Sequence, residues 1–204
     1  MSKARTSWSW AESPDEASAY QAEARKLVGQ IIARVRYSNI DYLADQYRHG
    51  VAGPRSIESE AEWNAATWRH PACDTVDFAV ELETRSRRYF TVSWDSPGAV
   101  EGIGLRELGA LGNAFAEDEP VALWDVTERS GWSELAGKPV TDVVLHYEPW
   151  GEISGARWCS WITVRIDGTS VQFLLAEGQA DSPDAPTPSV DNVAVVFDSG
   201  ALPL

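Results

Sequence analysis

The apolar residues of this chain change period once, near residue 74, and that change constrains the fold more than any other feature. Before it, Ala17, Tyr20, Ala24, Leu27, Val28, Ile31, Ile32 and Val35 recur at three- and four-residue steps. That spacing puts side chains on one face of a helix. After it, Val76, Phe78, Val80 and Leu82 alternate with Asp77, Ala79, Glu81 and Glu83, the pattern of a half-buried strand. Helices first and strands after predict an α+β class: N-terminal helices packed on a mainly antiparallel sheet of about seven short strands.

The first helix has a clear start. In Ser13-Pro14-Asp15-Glu16, Ser13 can cap, Pro14 suits the first helical position, and the acidic residues suit the positive end of the helix dipole. The periodicity carries this helix to about Arg36. Two shorter helices are expected over residues 40–48, ended by Gly50, Gly53 and Pro54, and over residues 60–68, where Ser59 and Glu62 form a second capping pattern.

The strand region opens with a hairpin, whose arms are separated by the polar turn Thr84-Arg85-Ser86-Arg87. Further strands are expected near residues 121–127, 141–147, 158–166, 171–176 and 192–197. Asp167-Gly168 between two of them tolerates the positive φ of a type I′ turn. Residues 130–136 read as one helical turn, Gly102-Ile103-Gly104 as a turn, and residues 181–188 as a Pro-rich acidic loop. The core is expected to include Leu27, Ile31, Val80, Leu82, Val92, Trp94, Ile162, Val164, Phe173 and Val195. One α+β domain over residues 1–204 is the preferred organisation, with a possible division into 1–99 and an acidic, β-rich 100–204.

Charge narrows the choice of partner. Residues 1–100 carry 12 Lys+Arg against 14 Asp+Glu, whereas residues 101–204 carry 5 against 17. The total of −14 argues against nucleic acid and anionic membranes, which reward clustered cations, and favours a basic protein. The longest apolar runs are far shorter than the ~20 residues needed to span a bilayer. Cys73 and Cys159 show no metal-binding spacing and read as buried thiols in a reducing cytoplasm. No apolar leader segment follows Met1.

Signatures of local chemistry are missing: there is no GxSxG, GxxxxGK[ST], HExxH or complete GxGxxG. An enzyme would have to assemble its site from scattered groups. The alternative is thus a hydrolase-like site around His146, Glu148 and Glu152, where an imidazole stands near carboxylates. His70 with Asp74 and Asp77 is a second such grouping, and Arg85, Arg87 and Arg88 form a cationic hairpin tip. No metal or cofactor is expected.

For a binding protein, the acidic run Glu117, Asp118 and Glu119 and the aromatic cluster Trp150, Trp158 and Trp161 are the expected contact residues. Acidic surfaces steer basic partners, and Trp is enriched at binding hot spots. An acidic chain with ten Trp and no catalytic motif resembles bacterial immunity proteins in composition. That resemblance implies a cytosolic inhibitor of a basic toxin. A structural subunit of a larger assembly is the remaining reading.

Overall fold

The computed structural model describes residues 8–41, 55–57, 70, 73–95, 101–108, 121–129, 131–151, 155–179 and 182–198. The first element is a two-residue strand, β1 (Trp10–Ala11), followed by helix α1 (Pro14–Ala24) and a 3₁₀ turn (Arg25–Leu27). Then come β2 (Ile32–Ile40), β3 (Arg55–Ile57), β4 (Asp74–Val76), β5 (Ala79–Thr84), β6 (Tyr89–Asp95) and β7 (Gly102–Leu108). The chain continues through β8 (Val121–Asp125), β9 (Val140–Pro149), β10 (Arg157–Ile166), β11 (Thr169–Gln179) and β12 (Ser182–Asp198).

The expected α+β class is overturned. Strands hold 64% of the described residues and helices 10%, with one α-helix among them, so the protein is mainly β. Two six-stranded sheets replace the single sheet of about seven strands. The first sheet runs β1-β10-β11-β12-β4, with β9 on the other side of β10. The second runs β3-β8-β2-β5-β6-β7 and is antiparallel except for the β3–β8 pair. One buried apolar cluster draws on α1 and on both sheets, joining Tyr20 and Leu27 to Val35, Leu82, Phe90, Ile162 and Phe173.

The helix starts where the sequence indicates, with Ser13 accepting from the Glu16 N–H, but it does not reach Arg36. After Leu27 the chain turns through Gly29 at φ +81°, a conformation that suits glycine. Ile32 and Val35 then belong to β2. Their three-residue spacing mimics a helix because the register against β5 jumps between Ile32 and Arg34. This bulge leaves Ala33 as the extra residue and returns Ile32 and Val35 to the same inner face. Of the expected helix over 40–48, Ile40 ends β2 and residues 42–48 lie outside the described residues, as does the expected helix over 60–68.

The hairpin of β5 and β6 stands, with Val80 opposite Val92 and Leu82 opposite Phe90, but its expected first arm is shorter: Val76 belongs to β4, in the other sheet. The Asp167-Gly168 turn has both φ values positive, 48° and 87°. Leu27, Val80, Leu82, Val92, Ile162, Val164, Phe173 and Val195 are fully buried, whereas Ile31 and Trp94 are partly exposed.

Two further expectations are corrected. Gly102 and Gly104 are not in a turn but in β7, where Trp8 and Ser9 pass directly over them. A Cβ at Gly104 would lie 2.8 Å from the Cβ of Trp8. The Pro-rich stretch from Ser182 is part of β12, paired with β11 through Thr187 and Pro188. On its other side β12 meets β4 only from Val193 to Val195, so the prolines occupy a length where no neighbour in β4 needs their missing N–H.

Candidate functional site

The residues singled out from sequence lie on β9 and β10, whose pairing sorts them into two faces. Val143 and Leu145 on β9, with Ile162 and Val164 on β10, point into the core. His146 opposite Trp161, and Val144 opposite Thr163, form the outer face. Trp158 and Trp161 are three apart, which in a regular strand would place them on opposite faces. A register shift between Cys159 and Trp161 leaves Ser160 as an extra residue and returns both indoles to the outer face.

At the end of this face three indoles meet. Trp158 is the register partner of Trp10 on β1. Trp150 sits edge-on to both, 5.9 Å from Trp10 and 6.0 Å from Trp158 between ring centroids. The Trp150 backbone N–H donates to the Ala156 carbonyl at 3.0 Å. All three rings are partly exposed. Glu148 is exposed, lies opposite Trp158 in register, and accepts from the Ser160 hydroxyl at 3.2 Å.

Trp161 is not part of this cluster. It stands edge-on to His146 at 4.5 Å, and its Nε1 is buried without a hydrogen-bond partner. The His146 Nε2 is 3.0 Å from the Thr163 hydroxyl. Burial holds its pKa below the usual imidazole value, against the opposing pull of Glu148. His146 and Glu148 are therefore engaged by different residues, Thr163 and Ser160. The groove that β9 borders takes Leu145 and Tyr147 from the face opposite to His146.

Glu152, Glu117, Asp118 and Glu119 lie outside the described residues. The members of the second grouping have these surroundings. Asp74 accepts from the Tyr37 hydroxyl at 2.7 Å, the His70 ring lies against Gly178, and burial raises the Asp77 pKa. At the hairpin tip, Arg87 pairs with Glu83 and Arg88 with Glu107. Cys73 and Cys159 are both buried and free, and burial pushes the Cys73 thiol up to about 11. Among the described residues no group of three or more His, Cys, Asp or Glu is placed to hold a metal. None of their helices is long and apolar enough to cross a membrane.

Two contributions were missed from sequence. Trp10 carries no local signal, because β1 is two residues long and pairs with a strand almost 150 residues away. Arg25 and Arg157 border the same groove beside α1, a meeting that only the tertiary fold creates. Comparison with known proteins finds no matching family model, curated protein or solved structure.

Proposed function

We propose that this chain is a protein-binding module, acting in the cytoplasm, that anchors a basic protein on the cluster of Trp10, Trp150 and Trp158, as an inhibitor of the immunity type would. The observation that carries the reading is the gathering of three partly exposed indoles, with Trp10 brought from a distant stretch of chain to Trp150 and Trp158, beside exposed Glu148. Edge-to-face aromatic pairs are worth about 0.5–1.5 kcal/mol beyond the area they bury. The cluster is thus a stiff platform with little conformational entropy left to lose on contact. Trp faces also attract Lys and Arg side chains, and a carboxylate at the edge favours the same cations. The net charge of −14 adds long-range steering of a basic partner.

The test is a panel of small basic proteins and Lys/Arg-rich peptides, followed by Trp fluorescence and by association rate against salt. Saturable binding is expected, with association slowing as the Debye length falls from ~10 Å at 0.1 M salt to ~3 Å at 1 M. Joint Trp150→Ala and Trp158→Ala should abolish it, and charge reversal at Glu117, Asp118 and Glu119 should slow association alone. Binding that ignores salt, or that survives loss of both indoles, rejects the reading.

A further inference from the structure

Cations in this chain are scarce and carboxylates abundant, 17 against 31, so an arginine finds an acid easily. Arg34, Arg36, Arg55, Arg87, Arg88 and Arg165 each pair with one. Three arginines among the described residues have no side-chain hydrogen bond or ion pair: Arg85 at the hairpin tip, and the pair Arg25 and Arg157. The Arg157 Nε is moreover buried without a partner, at a cost that native structures normally avoid. These two residues line the same groove, of about 470 Å³, a size typical of small-molecule sites.

One wall of the groove is helix α1, through Ser18 and Gln21, with Arg25 of the 3₁₀ turn that follows it; the other is the end of the first sheet, through Leu145, Tyr147 and Arg157. The remaining polar groups are already committed. The Gln21 amide binds the backbone of Val143 and Leu145. The Ser18 hydroxyl donates to the Pro14 carbonyl, and the Tyr147 hydroxyl donates to the Trp8 carbonyl. Two helix carboxylates are committed as well, Glu16 to the Glu12 N–H and the Tyr20 hydroxyl, and Glu23 to Lys26. What the groove still offers is two guanidinium groups, which only donate, beside the exposed apolar side chains of Pro14 and Ala22.

We propose that this groove binds a small organic anion, a carboxylate or phosphate ester with a short apolar body. Guanidinium forks match carboxylate and phosphate oxygens in paired hydrogen bonds, and Pro14 and Ala22 take the apolar part. The site is independent of the Trp cluster and of the basic partner proposed for it.

The experiment follows backbone amide NMR shifts of Ser18, Gln21, Leu145 and Tyr147 during titration with butyrate, butyl phosphate, inorganic phosphate and butylamine. Saturable shifts are expected with butyrate or butyl phosphate and none with butylamine. Inorganic phosphate should bind more weakly than its butyl ester. Arg25→Gln, an exposed and structurally safe change, should weaken binding about tenfold, the loss expected for one charge-assisted hydrogen bond. Arg157→Gln should weaken it at least as much, and if that variant does not fold, Arg25→Gln decides. The Trp150→Ala/Trp158→Ala protein should bind these anions unchanged, which separates this site from the protein-binding reading. No saturation with either organic anion up to about 10 mM, tenfold above a millimolar Kd, overturns the proposal. So does unchanged affinity in Arg25→Gln, equal binding of butylamine, or equal binding of inorganic and butyl phosphate.

Discussion

Trp132 donates its indole N–H to the hydroxyl of Tyr37 at 2.7 Å, and both side chains are buried in the apolar core. The Tyr37 hydroxyl in turn donates to Asp74 at 2.7 Å, so one oxygen serves an indole on one side and a carboxylate on the other. Tyr37 stands on β2 of the second sheet and Asp74 on β4 of the first. These two hydrogen bonds thus tie the two sheets together. Tyr37→Phe keeps the ring and removes the oxygen. It should cost about 2–4 kcal/mol, because buried Trp132 and partly buried Asp74 each lose a hydrogen bond. Urea unfolding with an unchanged m-value measures it.

Gln21 plays a comparable part at the margin of the first sheet. Strand β9 pairs with β10 on one side. On its other side the Val143 carbonyl accepts from Gln21 Nε2 at 2.9 Å, and the Leu145 N–H donates to Gln21 Oε1 at 2.8 Å. One amide side chain thus stands in for a neighbouring strand, which covers an edge that would otherwise invite pairing with another chain. Gln21→Ala should cost about 1–3 kcal/mol and speed hydrogen exchange at the Leu145 amide. An unchanged exchange rate there would show that the helix protects the edge without this side chain.

How far the sequence was legible depended on local regularity. The β5–β6 hairpin, the Asp167-Gly168 turn and the Ser13 cap each rest on neighbouring residues, and each stands in the structure. The errors arose where the strand period was broken. The bulge at Ala33 spaces Ile32 and Val35 like a helix face, so the helical period runs on to Arg36 although the helix ends at Ala24. The bulge at Ser160 hides the shared face of Trp158 and Trp161 in the same manner. The glycines of β7 looked like a turn because the reason for them, the passage of Trp8 and Ser9 overhead, comes from residues almost a hundred positions away. The Trp cluster was half legible: Trp150 and Trp158 are near in sequence, Trp10 is not, and Trp161 belongs with His146 instead.

His146 makes a prediction about pH. Burial depresses its pKa in the folded protein, so the unfolded chain binds the proton more readily. Its contribution to stability is complete above the unfolded value of about 6.5 and is lost as pH falls through the folded value. A titration of the His146 ring by NMR should give a midpoint below that of a free imidazole. Replacing His146 with Asn should flatten the fall in Tm between about pH 7 and pH 5. A midpoint at or above the ordinary value would show that Glu148 outweighs burial.

The ion pair of Arg36 and Glu81 supplies the last test. Their side chains lie opposite each other on β2 and β5, with Arg36 Nε 2.6 Å from a Glu81 oxygen. The Glu81 side chain is wholly buried and that of Arg36 is 17% exposed. A carboxylate removed from water loses its hydration, and the nearby guanidinium restores part of that loss. Arg36→Met leaves the carboxylate buried without this cation and should cost about 3–5 kcal/mol. Glu81→Met alone is milder, because the partly exposed guanidinium retains access to water. The double replacement Arg36→Met/Glu81→Met should be more stable than Arg36→Met alone, since it removes the stranded charge and fills the space with apolar atoms. Chemical denaturation of the four proteins of this cycle gives the coupling directly. Strict additivity would mean that the pair contributes no coupling, and that Glu81 draws its stabilisation from other neighbours.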